Sequence, residues 1–250
     1  MKRVFIFCLV FVGLISCNSK KNSPLRIAAA ANLRYALDEL VDTFEISSGV
    51  PCEVVISSSG KLTAQIESGA PFDIFLSADM AYPNYLYEKG IVKSKPEKYA
   101  TGALVLWGGV NRISGLNDLL KEEYQPIAIA NPETAPYGKA AFEVLKSLNS
   151  EEYWVGKLVY GESISQVNQF LISGAVSVGF TSKSVIFSDS ALLKSSWISI
   201  PDSLYSKVDQ GFVILNKRPD QKENADIFGE FLLSKQAKDI LRRYGYTTEM

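Results

Sequence analysis

The sequence contains no histidine. That removes the Ser–His–Asp and Cys–His arrangements that activate many nucleophiles near neutral pH, and with them the commonest metal ligand. Cysteine is nearly as scarce, with three residues at Cys8, Cys17 and Cys52. Cys8 and Cys17 lie at the extreme N-terminus, so Cys52 stands alone and no intramolecular disulfide is expected. An excess of one charge sign is also missing. Lys and Arg together number 26 against 27 Asp and Glu, a net charge of -1. Nothing in that balance marks a surface for nucleic acid, and no nucleic-acid partner is expected. No cofactor and no bare metal ion are expected either.

What is present begins with a processing segment. Lys2 and Arg3 form a short basic start, an almost unbroken apolar run covers 4–15, and Ser16 and Cys17 follow. The run is short for a membrane span and ends at small residues, so 1–16 reads as a secretory signal peptide. Leu14-Ile15-Ser16-Cys17 resembles the bacterial lipobox. That resemblance implies that Cys17 becomes the first mature residue and carries a lipid. Residues 17–24 are then a polar, lipidated tether. The expected location is extracytoplasmic, in the periplasm or at the cell surface, anchored to the membrane through Cys17.

The mature chain alternates short apolar runs with segments of helical period. Residues 25–30 read as a buried strand. Leu33, Ala36, Leu37, Leu40, Val41 and Phe44 fall on one helical face after Asn32, which takes the N-cap position. Strands are expected over 53–57, 72–77, 126–130, 158–160, 176–181 and 197–200. Helices are expected over 61–67, 80–89, 116–123, 138–148 and 164–172, with one long closing helix over about 223–243. Such alternation predicts largely parallel sheets covered on both faces. Two long extended segments, 102–110 and 207–216, interrupt it and read as crossovers. The organisation is therefore two α/β lobes, 25–102 with 212–250 and 103–211, joined by a two-strand hinge with a cleft between them.

Four strand-to-helix junctions carry the chemistry: Ala30-Ala31-Asn32, Ser58-Ser59-Gly60, Ala135-Pro136-Tyr137-Gly138 and Glu162-Ser163-Ile164. A helix N-terminus presents unpaired N–H groups and partial positive charge, and small residues let an anion approach them. Asn and Ser are also the ordinary N-cap residues, so each junction alone reads as a cap. Together, in a two-lobe frame, they suggest an anion-binding cleft whose donors are neutral.

Several strings resemble one family. Ala28-Ala29-Ala30-Ala31-Asn32-Leu33, Ser57-Ser58-Ser59-Gly60-Lys61-Leu62 and the run from Gly69 to Asp79 are similar to the periplasmic molybdate-binding proteins. So are the run from Ala130 to Gly138 and the closing Arg243-Tyr244-Gly245-Tyr246. The resemblance implies a type II periplasmic-binding-protein fold and capture of molybdate or tungstate for the permease of an ABC importer. Molybdenum would enter only as its oxyanion, and the protein is expected to be monomeric. Carried over by motif, Asn32 and Ser59 hold the oxyanion from the first lobe, and the backbone N–H groups of Tyr137 and Ile164 hold it from the second. Some relatives add a tyrosine hydroxyl where this chain has Ser182, and a hydroxyl residue where it has Ala31, so both positions depart from that pattern.

The same residues admit other cargoes and activities. Sulfate or another small anion would suit the same fold. Ser58-x-x-Lys61 matches the Ser-x-x-Lys of penicillin-binding enzymes without their Lys-Thr-Gly partner, and would make a cell-envelope serine hydrolase. Asp73 and Asp79 bracket a strand and could form a carboxylate pair, although Asp79 is more simply a helix cap. The partners that each enzymatic reading needs are missing, and the expectation is a binding protein rather than an enzyme.

Overall fold

A computed structural model describes residues 23–109 and 112–249. The segment 1–16 expected as a signal peptide, the expected lipid-attachment residue Cys17 and the expected tether up to residue 22 lie outside the described residues. No described helix is long and apolar enough to cross a membrane.

Two five-stranded sheets share one plan. The first contains β1 (Leu25–Ala30), β2 (Cys52–Ser57), β3 (Ile74–Ser77), β4 (Glu97–Gly102) and β10 (Val208–Ile214). The second contains β5 (Leu104–Trp107), β6 (Ile127–Ala130), β7 (Leu158–Gly161), β8 (Val178–Ser182) and β9 (Trp197–Ser199). Their orders are β2-β1-β3-β10-β4 and β7-β6-β8-β5-β9. In each, the first three strands in that order run parallel, and the fourth is antiparallel to its neighbours. The parallel strands are apolar because both of their faces are covered. Leu25, Ile27, Ala28 and Ala29 of β1 and all of β6 have no solvent exposure.

Each parallel strand feeds a helix. The helices are α1 (Arg34–Ser48), α2 (Ser59–Glu67), α3 (Ala81–Glu88), α4 (Pro136–Leu148), α5 (Ile164–Ile172) and the short α6 (Lys183–Ile186). A further short helix, α7 (Ser190–Leu193), precedes β9, and α8 (Lys222–Leu233) and α9 (Lys235–Arg243) close the chain. α1 buries Ala36, Leu37, Leu40 and Phe44, the helical stripe read from the sequence. Gly49 ends it in the left-handed conformation at φ 71°, which costs glycine little. Phe44 packs edge-on against Phe228 at 4.8 Å, so α8 returns to the first sheet and closes its core.

Three expectations about elements are corrected. The run 102–110 is not one strand. β4 ends at Gly102 in the first sheet and β5 begins at Leu104 in the second, while Val110 is outside the described residues. An unbroken apolar run is compatible with either arrangement, because periodicity does not reveal which sheet a strand joins. The closing helix is two. Ser234 adopts φ −67° and ψ 160°, and its hydroxyl accepts the Ala237 N–H at 3.3 Å, so it starts a second helix where the apolar spacing runs on. The segment 116–123 forms short 3-10 turns. There the Asp118 carboxylate accepts the Ser114 N–H at 2.7 Å and the Lys121 ammonium at 2.7 Å, which holds it well below the usual carboxylate range.

Cys52 begins β2, and its N–H donates to Glu45 Oε1 at 2.6 Å. Burial, with the Glu45 carboxylate adding to it, pushes the thiol up to about 12. Only the thiolate reacts. Alkylation of Cys52 by iodoacetamide at pH 8 is therefore expected to run about 1,000-fold slower in the native protein than in denaturant. Peptide mass spectrometry across a time course reads this directly, and equal rates would refute the account in which partial burial holds the thiol up.

Candidate functional site

In open α/β sheets ligands gather at the carboxyl ends of the parallel strands. Here those ends face each other across the two lobes. The turns after β1, β2, β3, β6 and β7 line one cavity, formed by Ala30, Ala31, Asn32, Ser58, Ser59, Ala78, Ala135, Pro136, Tyr137 and Ile164. Its volume is about 10 Å³, on the scale of the space one water needs and far below the roughly 300–1,000 Å³ of organic ligand pockets. None of the lining residues is charged. The cavity's positive potential comes instead from helix N-termini, because α2, α4 and α5 all begin there. Tyr137 and Ile164 sit in first turns, where an N–H has no intrahelical acceptor.

Asn32, Ser59, Tyr137 and Ile164 are thus brought together, although they come from four separate junctions. Ser59 is fully buried. Its Oγ accepts the Ala78 N–H at 3.0 Å, which leaves its own hydroxyl hydrogen free to donate. Asn32 differs from the expectation drawn from sequence. It lies within a 3-10 turn (Ala31–Leu33) rather than at an N-cap. Its Nδ2 donates to Gln210 Oε1 at 2.8 Å and to Tyr246 Oη at 2.9 Å. Gln210 fixes that orientation, because its own Nε2 donates to the carbonyls of Ala78 (3.1 Å) and Val208 (2.9 Å), leaving only Oε1 toward Asn32. Both amide hydrogens of Asn32 are therefore engaged, and its remaining donor is the backbone N–H.

Ser182 does not line the cavity. Its Oγ pairs with Ser184 Oγ at 2.8 Å, and Ser184 Oγ donates to the Asn32 carbonyl at 2.7 Å. The Tyr246 hydroxyl donates to the same carbonyl at 2.9 Å. Gln210, not singled out from sequence, and Tyr246, read there only as part of the closing motif, therefore brace the loop after β1. Burial pushes the Tyr246 phenol far up, and that of Tyr137 likewise, so both remain neutral across physiological pH. Ala78 was also missed, because its contribution is a backbone N–H that carries no side-chain signal.

Three contacts close the lobes beside the cavity. The Gly60 N–H donates to the Thr134 carbonyl at 2.9 Å, the Tyr82 hydroxyl to the Glu133 carbonyl at 3.1 Å, and Lys61 Nζ meets Glu162 at 2.7 Å. Lys61 is thus turned to Glu162, whereas Ser58 Oγ has no hydrogen-bond partner. No Ser58–Lys61 hydrogen bond of the kind a hydrolase needs is formed. Asp73 and Asp79 are not a pair. The Asp73 carboxylate accepts the Arg26 N–H at 2.7 Å and Arg218 Nε and Nη2 at 3.0 and 2.8 Å. Asp79 Oδ1 accepts the Tyr82 N–H at 3.2 Å, as a helix cap does. Among the described residues, no group of acidic or cysteine side chains could hold a metal ion.

Two lobes shut on a small neutral cavity at the strand ends define a solute-binding protein. Residues 25–247 match the family described as bacterial extracellular solute-binding protein. The chain is 35% identical to the molybdate-binding protein ModA of Azotobacter vinelandii, over 94% of this chain and 93% of the relative. It is 37% identical to that of Rhodobacter capsulatus, over 89% and 87%. The structure of the Azotobacter vinelandii periplasmic molybdate-binding protein superposes with a TM-score of 0.83 at 30% identity, covering 90% of this chain and 100% of that one. The chain belongs to the periplasmic molybdate-binding protein family, and its fold is the two-lobe periplasmic-binding-protein fold.

Proposed function

We propose that the protein captures molybdate or tungstate between its lobes and delivers it to the permease of an ABC importer. The observation that carries this reading is the convergence of three helix N-termini from both lobes on a small cavity with neutral walls. An oxyanion accepts hydrogen bonds at every oxygen and suits fixed N–H and O–H donors. A buried cation would add its own desolvation cost. In this reading the Ser59 hydroxyl and the N–H groups of Asn32, Tyr137 and Ile164 hold the anion. The crossovers next to Ala103 and Val208 act as the hinge; because β10 pairs in the first sheet from Val208 onward, the lobes are 25–102 plus 208–250 and 103–207, not divided at 212 as the sequence suggested. The bracing through Ser184 leaves Ser182 an indirect role. Cys17 carries the lipid anchor after removal of 1–16, the protein works outside the cytoplasm as a monomer, and it catalyses no reaction. The family assignment supports the cargo, and the cavity's size supports an inorganic ion over an organic one.

Thermal unfolding with molybdate, tungstate, sulfate and phosphate tests it. A ligand at about 100 times its Kd that binds only the native state adds about 2.7 kcal/mol. The expected result is a clear rise in Tm with molybdate and tungstate and none with sulfate, since donors spaced for the larger ion are left unpaired by the smaller one. A rise with sulfate alone would overturn the cargo. No rise with any oxyanion would overturn the reading.

A further inference from the structure

Serine at a helix N-cap ordinarily turns its hydroxyl back onto an N–H of the first turn. Ser58 occupies the N-cap of α2 with φ −69° and ψ 150°, the extended conformation suited to capping, yet its side chain makes no cap hydrogen bond. It is only 3% exposed, and its Oγ is buried without any hydrogen-bond partner. It also lines the interlobe cavity. An unpaired buried hydroxyl is costly, and native structures keep one where something else satisfies it. The neighbouring Ser59 shows the contrast: its Oγ is held by the Ala78 N–H at 3.0 Å, so it has a structural partner that Ser58 lacks.

We infer that the Ser58 hydroxyl is a further direct donor to the bound anion, one hydrogen bond beyond those supplied by Asn32, Ser59, Tyr137 and Ile164. The inference rests on the oxyanion reading above. It makes the turn after β2 a two-hydroxyl clamp, and it supplies from the first lobe a side-chain contact that Ser182, outside the cavity lining, does not make. The ligand class is a small, fully ionised tetrahedral oxyanion, whose oxygens take one donor more readily than a neutral solute would.

The test separates a ligand contact from a structural one by sign. In Ser58→Ala the ligand-free protein loses an unsatisfied buried hydroxyl, so its Tm is expected to stay or rise. Molybdate affinity, measured by calorimetry on the same protein, is expected to fall about 10- to 100-fold, as for a hydrogen bond to a charged group. Ser58→Cys keeps the shape with a weak donor and is expected to weaken binding too, which guards against a packing artefact in the alanine variant. Unchanged molybdate affinity in both variants would overturn the inference while leaving the oxyanion reading standing. So would a ligand-free Tm that drops with Ser58→Ala, because the hydroxyl would then be a cap. Wild-type protein that binds none of molybdate, tungstate or sulfate would overturn both.

Discussion

Replacing Asp73 with alanine is expected to destabilise the protein by about 3–5 kcal/mol, a large share of the stability of a domain this size. Asp73 stands at the head of β3 with its side chain 1% exposed, against 16% for Arg218. Its carboxylate takes both guanidinium hydrogen bonds and the Arg26 N–H, and Arg218 Nη2 also donates to the Pro24 carbonyl at 2.7 Å. One ion pair thus ties the residues at the head of β1, the third strand and the approach to α8 together. Truncating the acid leaves a nearly buried cation with only the Pro24 carbonyl to meet it, and the Arg26 N–H with no partner, which is where the cost arises. Removing both charges with Asp73→Leu and Arg218→Met should cost less than Asp73→Ala alone. The cleft pair Lys61–Glu162, with side chains 40% and 72% exposed, should lose about 1 kcal/mol or less in Glu162→Ala. Urea unfolding of the variants measures all of this. A loss in Asp73→Ala no larger than in Glu162→Ala would mean that burial does not govern these pairs.

Gly138→Ala is expected to cost about 3 kcal/mol and to weaken anion binding tenfold or more. A Cβ at Gly138 would lie 2.2 Å from the Ala130 carbonyl oxygen and 2.7 Å from its carbon. Both are backbone atoms at the end of β6, so the first turn of α4 would have to lift from the strand that positions it. Tyr137, whose N–H is proposed to face the anion, lies in that turn. Stability and affinity should therefore fall together. Gly115→Ala is the control, since nothing lies within 4 Å of a Cβ there, and it should change neither. Urea unfolding and molybdate calorimetry on both variants check the pair. A Gly138→Ala protein with normal affinity would show that the start of α4 does not set the site.

The legible part of this molecule was the part written in local pattern. Alternating apolar runs and helical stripes announced two α/β lobes, and small residues at strand ends announced the turns that meet in the cavity. Less legible was anything decided by a distant partner. Gln210 and Asn32 are far apart in sequence, and their hydrogen bond decides which way the Asn32 amide faces. Nothing at Asn32 itself reports that choice. Tyr246 looked like part of a closing motif and proves to be a brace for the loop after β1. Ser234 sits in an apolar spacing that continues across it, so only its extended ψ reveals the break. Ala103 is hidden in the same way, since the run that contains it looks like one strand from either side. Ser58 was readable only as half of a Ser-x-x-Lys string, and its burial beside the cavity gives it a different meaning.

The placement of β10 sets the order in which the molecule can be assembled. This strand lies between β3 and β4 and hydrogen-bonds to both, yet it leaves the ribosome only after every strand of the second sheet. Until Val208–Ile214 arrives, β3 and β4 each carry an unpaired edge of the kind that invites pairing with another chain. The second sheet, whose strands all fall between Leu104 and Ser199, has its full complement earlier. A chain cut short before Val208 would therefore hold one complete sheet and one gapped one. The half that must wait is the one built on β1, the first strand made.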